Sequence, residues 1–415
     1  MHHTIIIGAG PAGLATACSL SSLGLKNFLL IERGKSLAKR QRACAQDVPS
    51  GVGGAGLYSD GKFSFFPSAT WLWKNLSSDN LSIAYHWLKG ILQNHNVNPP
   101  DLNAQQSVDI VSDNVFKAYP SFYIDFNERY KMIEQWTKQF NANILTDTTV
   151  INIAKHNNVY CITTSAGVFF AENIVIATGR MGPLQLSSFT LPIPQAFQRI
   201  EIGVRVKGPY GHPFFSELQQ YGDFLDPKFI FTHRENRHVS WRTFCYCKRG
   251  EIMHSGGDGY VTLSGRADCP PTNESNIGFN TRIKLPAARY LLPKLLNPFI
   301  VNLADVYRNP SMLSQYFDPL VADYVFLGLV ELKNHFTSLA DASALEIAGP
   351  TIEGVGDYPI VNNQLEAECP GMYVVGDSLG LFRGLTAALL SGHYIGQKIM
   401  SHSNAHSAIT SVVNL

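Results

Sequence analysis

The amino-terminal residues carry a glycine pattern that can hold a phosphate group. Gly8, Gly10 and Gly13 have the spacing G-x-G-x-x-G, between an apolar β-branched run and a segment with helical periodicity. The first glycine permits a tight turn, the second lets a pyrophosphate approach the backbone, and the third lets helix and strand pack closely. Glu32, 19 residues after Gly13, can accept hydrogen bonds from ribose hydroxyls. This context predicts a dinucleotide-binding βαβ unit, with a βαβ turn that binds no ligand as the alternative.

A second glycine-rich stretch, SGVGGAGLYSDGKFS, covers residues 50–64. Glycine is needed where another group approaches the backbone closely. A flexible surface loop also uses serine and glycine, but it rarely places apolar residues such as Val52, Leu57 and Phe63 among them. The stretch is therefore expected to lie against another part of the molecule or against a ligand.

Two strand ends later in the chain have the same character. Thr178 and Gly179 end one predicted strand, and Gly376 and Asp377 end another, which precedes a helix predicted to begin near Gly384. Open α/β sheets bind ligands at the carboxyl ends of their strands. Both strand ends are therefore candidates for a ligand site, although Asp377 can instead cap its own loop.

Composition limits the classes of function. The chain has 415 residues, 45% hydrophobic and 16% charged, with a net charge of +1. Near-neutral charge argues against nucleic acid or a membrane surface as partner, and the basic run 35–42 is typical of a solvated loop. The seven scattered cysteines fit a reducing cytosol. No uncharged apolar run reaches about 18 residues, and a strand begins close to Met1, so we expect a cytoplasmic protein without signal peptide or membrane span.

The chain resembles the superfamily of FAD-dependent enzymes that includes glutathione reductase, phytoene desaturases and geranylgeranyl reductases. In those families the amino-terminal glycine motif holds the ADP half of FAD, an ATG-like strand end lies beside the cofactor, and a carboxyl-terminal Gly-Asp pair binds the ribityl chain. A closer resemblance is to bacterial FAD-dependent dehydrogenases of poorly defined activity, and it covers residues 3–400. The segments SGVGGAGLYSDGKF, IGVRVKGP, RTFCYCKRGEI and PGMYVVGDSLGLFRGL carry it.

The resemblance implies non-covalently bound FAD, with its pyrophosphate and ring against the glycine-rich stretch. Arg383 and the helix after it would face flavin N1 and O2, and Lys62 would lie near N5 or O4; a surface arginine and an outward-pointing lysine are the alternatives. The Val150 backbone is a candidate adenine contact. The candidate cofactor-binding residues are Gly8, Gly10, Pro11, Ala12, Gly13, Glu32, Arg33, Arg42, Gly53, Gly54, Gly56, Ser59, Asp60, Gly61, Lys62, Val150, Thr178, Gly179, Gly376, Asp377, Arg383, Gly384, Leu385 and Thr386.

Candidate catalytic residues besides Lys62 lie in the middle of the chain. The alternation of residues 200–206 predicts a strand with an apolar face and a face that carries Glu201 and Arg205. Arg205, Arg242 and His254 are candidate anchors for an anionic substrate, with solvated sheet positions as the alternative. Cys245 and Cys247 share one strand face, but without a C-x-x-C pattern we interpret them as packed residues and predict no metal site.

The predicted fold is α/β: a Rossmann-like βαβ FAD-binding domain of the glutathione-reductase type, with an inserted α+β substrate domain. The FAD-binding domain is expected to be discontinuous, and the expected parts are 1–67, 118–190 and 345–402 for that domain, 68–117 for a helical insertion, 191–344 for the substrate or cap domain, and 403–415 for a loosely held tail.

The leading prediction is an FAD-dependent oxidoreductase that transfers a hydride between flavin N5 and a small organic substrate. One dinucleotide fingerprint is present, so NAD(P)H is a candidate transient reductant rather than a second resident cofactor. The alternatives are a reductase of isoprenoid-like substrates, an RNA-modifying flavoprotein and a non-catalytic FAD-binding sensor. Near-neutral charge argues against the RNA-modifying class. Substrate, direction of electron flow and oligomeric state stay open.

Overall fold

The structure, a computed structural model, describes residues 1–102, 115–117, 119–220 and 228–413, with the side chains of 115–117 and 402–413 outside the description. The chain forms two compact units. Unit 1 comprises Met1–Ser107, Phe122–Ala196 and Pro359–Leu415, and unit 2 comprises Val108–Ser121 and Phe197–Tyr358.

The strands are β1 His2–Ile7, β2 Phe28–Ile31, β3 Lys62–Ser64, β4 Val115–Lys117, β5 Ser121–Tyr123, β6 Ile144–Leu145, β7 Val150–His156, β8 Val159–Thr164, β9 Gly167–Ile176, β10 Gln195–Pro209, β11 Lys228–Thr232, β12 Val239–Cys247, β13 Glu251–His254, β14 Leu263–Arg266, β15 Glu274–Ile283, β16 Phe299–Asn302, β17 Glu346–Pro359 and β18 Met372–Val374. The helices are α1 Pro11–Ser22, α2 Gly54–Leu57, α3 Thr70–Asn75, α4 Ser78–Gln93, α5 Phe126–Gln139, α6 Pro183–Leu186, α7 Pro213–Gln219, α8 Leu303–Arg308, α9 Pro319–His335 and α10 Leu385–Val413.

Unit 1 is built on a sheet with a parallel part. Its order is β6-β2-β1-β9-β8-β7, and β18 also pairs with β9. β1 runs parallel to β2 and β9, and β18 runs parallel to β9. Parallel neighbours need a crossover, and α1 supplies it between β1 and β2. The fold is therefore α/β with a βαβ unit at its start, and the carboxyl ends of β1, β9 and β18 meet at one edge of the sheet.

Glycine lets α1 pack closely on both of its neighbours. A Cβ on Gly13 would lie 1.9 Å from Gly8 O, so the helix contacts the end of β1 through backbone. A Cβ on Gly392 would lie 2.0 Å from Ala12 O, which sets the approach of α10 to α1. The Thr16 hydroxyl donates to Gly392 O at 3.0 Å across the same contact. The first helix is thus fixed between the sheet and the carboxyl-terminal helix.

Several predicted elements of unit 1 differ in extent. The sequence pattern predicts a strand at Phe28–Ile31, and this strand is confirmed as β2. It also predicts two strands, at 168–170 and 174–177, and these form the single strand β9. Residues 345–358, assigned from sequence to the FAD-binding domain, belong to unit 2. Residues 403–413 of the predicted tail continue the helix α10.

Unit 2 is a second seven-stranded sheet, ordered β16-β17-β10-β15-β12-β11-β4. The apolar face of β10 packs in the core, as its alternation predicts: Ile200, Ile202, Val204 and Val206 are fully buried. α9 packs close to β12, since a Cβ on Gly328 would lie 2.3 Å from Trp241 Cδ1. The opposite face carries polar side chains, described below. Among the described residues, no helix combines the length and apolar character needed to cross a bilayer.

Candidate functional site

The two sequence-distant strand ends of unit 1 lie beside the first glycine turn. A Cβ on Gly8, whose φ is +106°, would lie 2.5 Å from Ala177 O. A Cβ on Gly376 would lie 2.9 Å from Ala12 Cβ. The Ser378 hydroxyl accepts from Gly179 N at 3.0 Å and so joins the ends of β9 and β18. Ser378 was not predicted; its position beside a Gly-Asp strand end was the available signal.

The amino terminus of α1 lacks a side-chain cap. Gly10 is the N-cap residue, Pro11 is the first helical residue, and the first turn holds no acidic side chain. Among the described atoms, only Gly54 Cα lies within 4 Å of a Cβ built on Gly10, at 3.9 Å. The first N–H groups of a helix have no intrahelical acceptor, and the helix dipole favours negative charge there. This end of α1 therefore has both the chemistry and the room for an anion.

Glu32 joins three backbone segments around this turn. The buried carboxylate accepts from Ala9 N at 2.8 Å through Oε2, and from Gly34 N at 2.8 Å and Gly51 N at 2.9 Å through Oε1. A carboxylate offers about four acceptor sites. Three are used by backbone N–H groups among the described residues, so Glu32 organises the protein itself, and its predicted contact with a ribose would need a fourth site.

Protein atoms are the nearest neighbours of the glycine-rich stretch. Gly53 N donates to Ala9 O at 2.8 Å, and a Cβ on Gly54 would lie 2.7 Å from Gly10 Cα. A Cβ on Gly56 would lie 2.7 Å from both Pro11 Cγ and Leu385 Cδ2. The predicted cofactor contact is one reason for the missing side chains. A second reason, which the structure shows, is close packing against the first glycine turn and against the starts of α1 and α10.

Two buried arginines that sequence reasoning missed hold this stretch. Arg40 donates to Val52 O at 2.7 Å and to Gly54 O at 3.0 Å, and burial lowers its pKa to about 10. The solvated-loop interpretation of the run 35–42 is therefore wrong for Arg40, which is 7% exposed.

Arg129 donates to Leu57 O at 3.0 Å and to Ser59 O at 2.7 Å. Gly61 lies against its guanidinium group and has a φ of +74°, so a side chain there would collide with the arginine. Arg129 occupies the apolar stripe of α5 with Met132, Ile133 and Trp136, and a charged residue at such a position was the available signal.

The predicted Asp377 lies between two arginines. Its Oδ2 is 3.6 Å from Arg180 Nε and 3.6 Å from Arg383 Nε. Arg383 was predicted and Arg180 was not, although Arg180 directly follows Thr178-Gly179. Among the described atoms, none lies within 4 Å of a Cβ built on Gly179 or on Gly384, so the backbone borders open space at both positions.

The other predicted cofactor residues lie around the same elements. Thr386, near the start of α10, is 1% exposed, and its Oγ1 has no hydrogen-bond partner among the described residues. Thr148 N donates to Glu32 O at 3.0 Å, which brings the start of β7, and so Val150, next to the end of β2. Arg33 is exposed, and the guanidinium carbon of Arg42 lies 5.3 Å from the centre of the Phe126 ring. In the turn 59–62, Gly61 N donates to the Ser59 hydroxyl and Lys62 N donates to the Asp60 carboxylate.

The predicted catalytic residues of unit 2 separate into two groups. Arg205 is fully buried beside the equally buried Glu201, so the alternative of a solvated sheet position is wrong for Arg205. Glu201 is paired with Arg242, with Arg199 at 3.2 Å and with Arg282 at 3.4 Å.

His254 differs from that group. It is exposed on β13, which pairs with β14 in a separate two-stranded sheet. Among the described residues, no group of three or more His, Cys, Asp or Glu side chains could hold a metal ion.

Comparison with known proteins gives one family match. Residues 1–50 match the family model of an FAD binding domain, and this match supports FAD as the cofactor. The matched residues contain the first glycine turn, Glu32 and Arg40. A search of curated proteins gives no match.

Solved structures show a distant likeness. Glycine oxidase from Bacillus cereus is 15% identical, covers 97% of this chain and 96% of its own, and has a TM-score of 0.43. A candidate FAD-containing monooxygenase from Photorhabdus luminescens subsp. laumondii is 13% identical, with coverage of 98% and 90% and a TM-score of 0.44. CtdE in complex with FAD is 11% identical, with coverage of 95% and 84% and a TM-score of 0.41. These likenesses are too weak to indicate a function.

Proposed function

We propose that the protein is an FAD-dependent oxidoreductase that transfers a hydride between flavin N5 and a small organic substrate. The observation that carries the proposal is the meeting of three parallel strand ends with the starts of α1 and α10. Open α/β sheets bind nucleotides at this kind of edge. Bound FAD would supply a hydride acceptor, which the side chains themselves do not provide.

The residues at this edge fit an extended dinucleotide. The uncapped start of α1 and the space beside Gly10 suit a pyrophosphate. The buried hydroxyl of Thr386 has no hydrogen-bond partner among the described residues, and no described atom lies within 4 Å of a Cβ built on Gly179 or Gly384; these features suit a polar ligand further along. Arg383 and Arg180 would provide positive charge for a group that becomes more negative on reduction, balanced in part by Asp377.

We assign substrate recognition to the polar face of the unit 2 sheet. Three guanidinium groups share the buried carboxylate of Glu201, and the side chain of one of them, Arg282, is 30% exposed. A bidentate guanidinium group suits a carboxylate or phosphate. The proposed substrate is therefore a small organic anion, with Arg242 and Arg282 as its first contacts, and Arg205 as part of the buried support rather than a contact.

The proposal is tested first by cofactor content. The full chain is purified, its flavin spectrum is recorded, and the released nucleotide is identified by mass spectrometry after acid denaturation. We expect FAD in non-covalent form. Colourless protein that does not take up added FAD would contradict the proposal.

Anaerobic stopped-flow mixing then tests for enzymatic function. The FAD-loaded protein is mixed with NADH, with NADPH and with panels of organic acids and matched neutral compounds. We expect flavin reduction to be faster with an anionic compound than with its neutral amide. A flavin that none of these compounds reduces would favour the FAD-binding sensor, and equal rates with acid and amide would contradict the anionic substrate alone.

A further inference from the structure

Two cysteines in unit 2 are closer together than their spacing alone suggests. Residues two apart on a regular strand are separated by about 6.8 Å along the strand. Cys245 Sγ and Cys247 Sγ nevertheless lie 3.7 Å apart. The pairing of β12 with β15 shifts register between Phe244 and Cys247, and Cys245 has a φ of +49°. A β-bulge therefore turns the two sulfur atoms toward each other.

A buried positive charge lies beside the inner sulfur. Arg205 Nη2 is 3.7 Å from Cys247 Sγ and donates to Cys245 O at 2.6 Å. Its Nε donates to Asn276 Oδ1 at 2.7 Å, so the guanidinium group has a defined position. A Cβ on Gly265 would lie 2.7 Å from Cys247 Sγ, and the glycine leaves room for the sulfur atom.

The two thiols differ in access. Cys245 is partly exposed, whereas Cys247 is fully buried. An external reagent therefore reaches Cys245 first, and Cys247 lies behind it at van der Waals distance. This order of an outer and an inner thiol suits two-step disulfide exchange, in which the outer thiol forms the mixed disulfide and the inner thiol then attacks it.

We propose that Cys245 and Cys247 form a reversible redox dithiol whose oxidant is a low-molecular-weight disulfide. The Cys245 thiolate attacks one sulfur of the external disulfide, which forms a mixed disulfide and releases one thiol. The Cys247 thiolate then attacks Cys245 Sγ, which forms the protein disulfide and releases the second thiol. The protein gives up two electrons and two protons, and the external disulfide takes them up as two thiols.

The geometry supports the second step. A disulfide bond is about 2.05 Å long, so each sulfur would move by about 0.8 Å from the observed 3.7 Å separation. The guanidinium group of Arg205 is next to the attacking sulfur, where it would stabilise the negative charge carried by the thiolate. The residues that carry this inference belong to unit 2, and the inference does not depend on FAD binding.

The test maps the disulfide in the full chain. Reduced protein is equilibrated with mixtures of reduced and oxidised glutathione, quenched with acid, alkylated, digested and analysed by mass spectrometry. We expect a Cys245–Cys247 disulfide whose equilibrium constant is at least about tenfold larger in the folded protein than in urea. Cys161, half-exposed on β8, is the internal reference thiol.

Single substitutions separate the roles of the two thiols. Cys247→Ser should leave a persistent mixed disulfide at Cys245. In Cys245→Ser, the remaining thiol of Cys247 should react at least about tenfold more slowly than Cys245 does in the wild type, because Cys247 is buried. Cys161→Ser should change neither result. A wild-type protein that keeps both thiols reduced, keeps a mixed disulfide, or oxidises equally in urea would overturn the proposal. If either variant fails to fold by circular dichroism, the comparison of folded and urea-treated wild type decides the question.

Discussion

A pair of alanine substitutions separates glycines required for ligand binding from glycines required for packing. Gly10 has φ −73° and ψ −177°, which any residue adopts, and its Cβ would meet only Gly54 Cα among the described atoms. Gly13 differs, because its Cβ would lie 1.9 Å from Gly8 O. If the space beside Gly10 holds the pyrophosphate, Gly10→Ala should lose FAD but remain folded, whereas Gly13→Ala should lose stability.

The structure gives the expected magnitudes. For Gly10→Ala the free energy of unfolding should change by less than about 0.5 kcal/mol, while the methyl group occupies the ligand space and weakens FAD at least about tenfold, or about 1.4 kcal/mol. For Gly13→Ala, restoring an ordinary 3.4 Å contact needs a shift of 3.4 − 1.9 = 1.5 Å between two backbone segments. Such overpacking costs about 1–3 kcal/mol or more.

Both quantities are measured on the same preparations. FAD affinity comes from titration of apoprotein followed by fluorescence, and stability comes from thermal unfolding of the apoprotein. Gly90→Ala is the control, since Gly90 lies in α4 with no described atom within 4 Å of its Cβ; it should bind FAD normally and gain about 1 kcal/mol. A Gly10→Ala protein that binds FAD as tightly as wild type would refute the assigned pyrophosphate position.

Three further predictions concern buried charge. Arg40→Met should lower the free energy of unfolding, measured by urea unfolding, by about 3 kcal/mol, because four backbone oxygens lose a charged donor. The control Lys39→Met, at an exposed position, should show no comparable loss. Burial lowers the pKa of His393 from 6.5 to about 4, so the unfolded chain takes up this proton before the folded chain does as the pH falls. The free energy of unfolding should therefore drop by up to about 3 kcal/mol between pH 6.5 and 4. The substitution His393→Phe keeps an aromatic ring against Trp87 and should remove that drop, whereas His86→Gln, at an exposed position, should not. Glu201→Gln should destabilise by about 3 kcal/mol or more, since it leaves buried guanidinium groups uncompensated, while Glu274→Gln on the surface should have little effect in thermal unfolding.

Local patterns were enough to predict the parallel core of unit 1. The apolar run before Gly8, the helical spacing after Gly13 and the strand Phe28–Ile31 predict β1, α1 and β2 to within a few residues. The assignment of β17 to the second sheet was not predictable in this way. The sequence pattern assigns residues from 345 onward to the FAD-binding domain, and only the pairing with β10 and β16 places β17 in the second sheet. Long-range pairing has no local signal in a single sequence.

For the candidate site, the sequence predicts which segments come together, but it does not predict the contacts that hold them. The predicted strand ends do lie together, because parallel strands share their carboxyl edge. The glycines at 54 and 56 are predicted to lie against a cofactor, and their nearest described neighbours are protein atoms of the first glycine turn and of the starts of α1 and α10. Arg40 and Arg129 were missed since charge usually indicates solvent, and burial of a guanidinium group depends on carbonyl groups that only the folded backbone gathers.

Glycine residues can form polar contacts only through their peptide groups. For this reason two buried charged side chains of opposite sign, Glu32 and Arg40, bind the backbone of the glycine-rich stretch. Glu32 accepts from Gly51 N, and Arg40 donates to the oxygens of Val52 and Gly54. Each buried peptide group needs a partner, and a charged partner forms a stronger hydrogen bond than a neutral one. The carboxylate also accepts from Ala9 N, so the same side chain fixes the stretch to the first glycine turn. The packing of the two glycine segments therefore depends on Glu32 and Arg40 before any cofactor is considered.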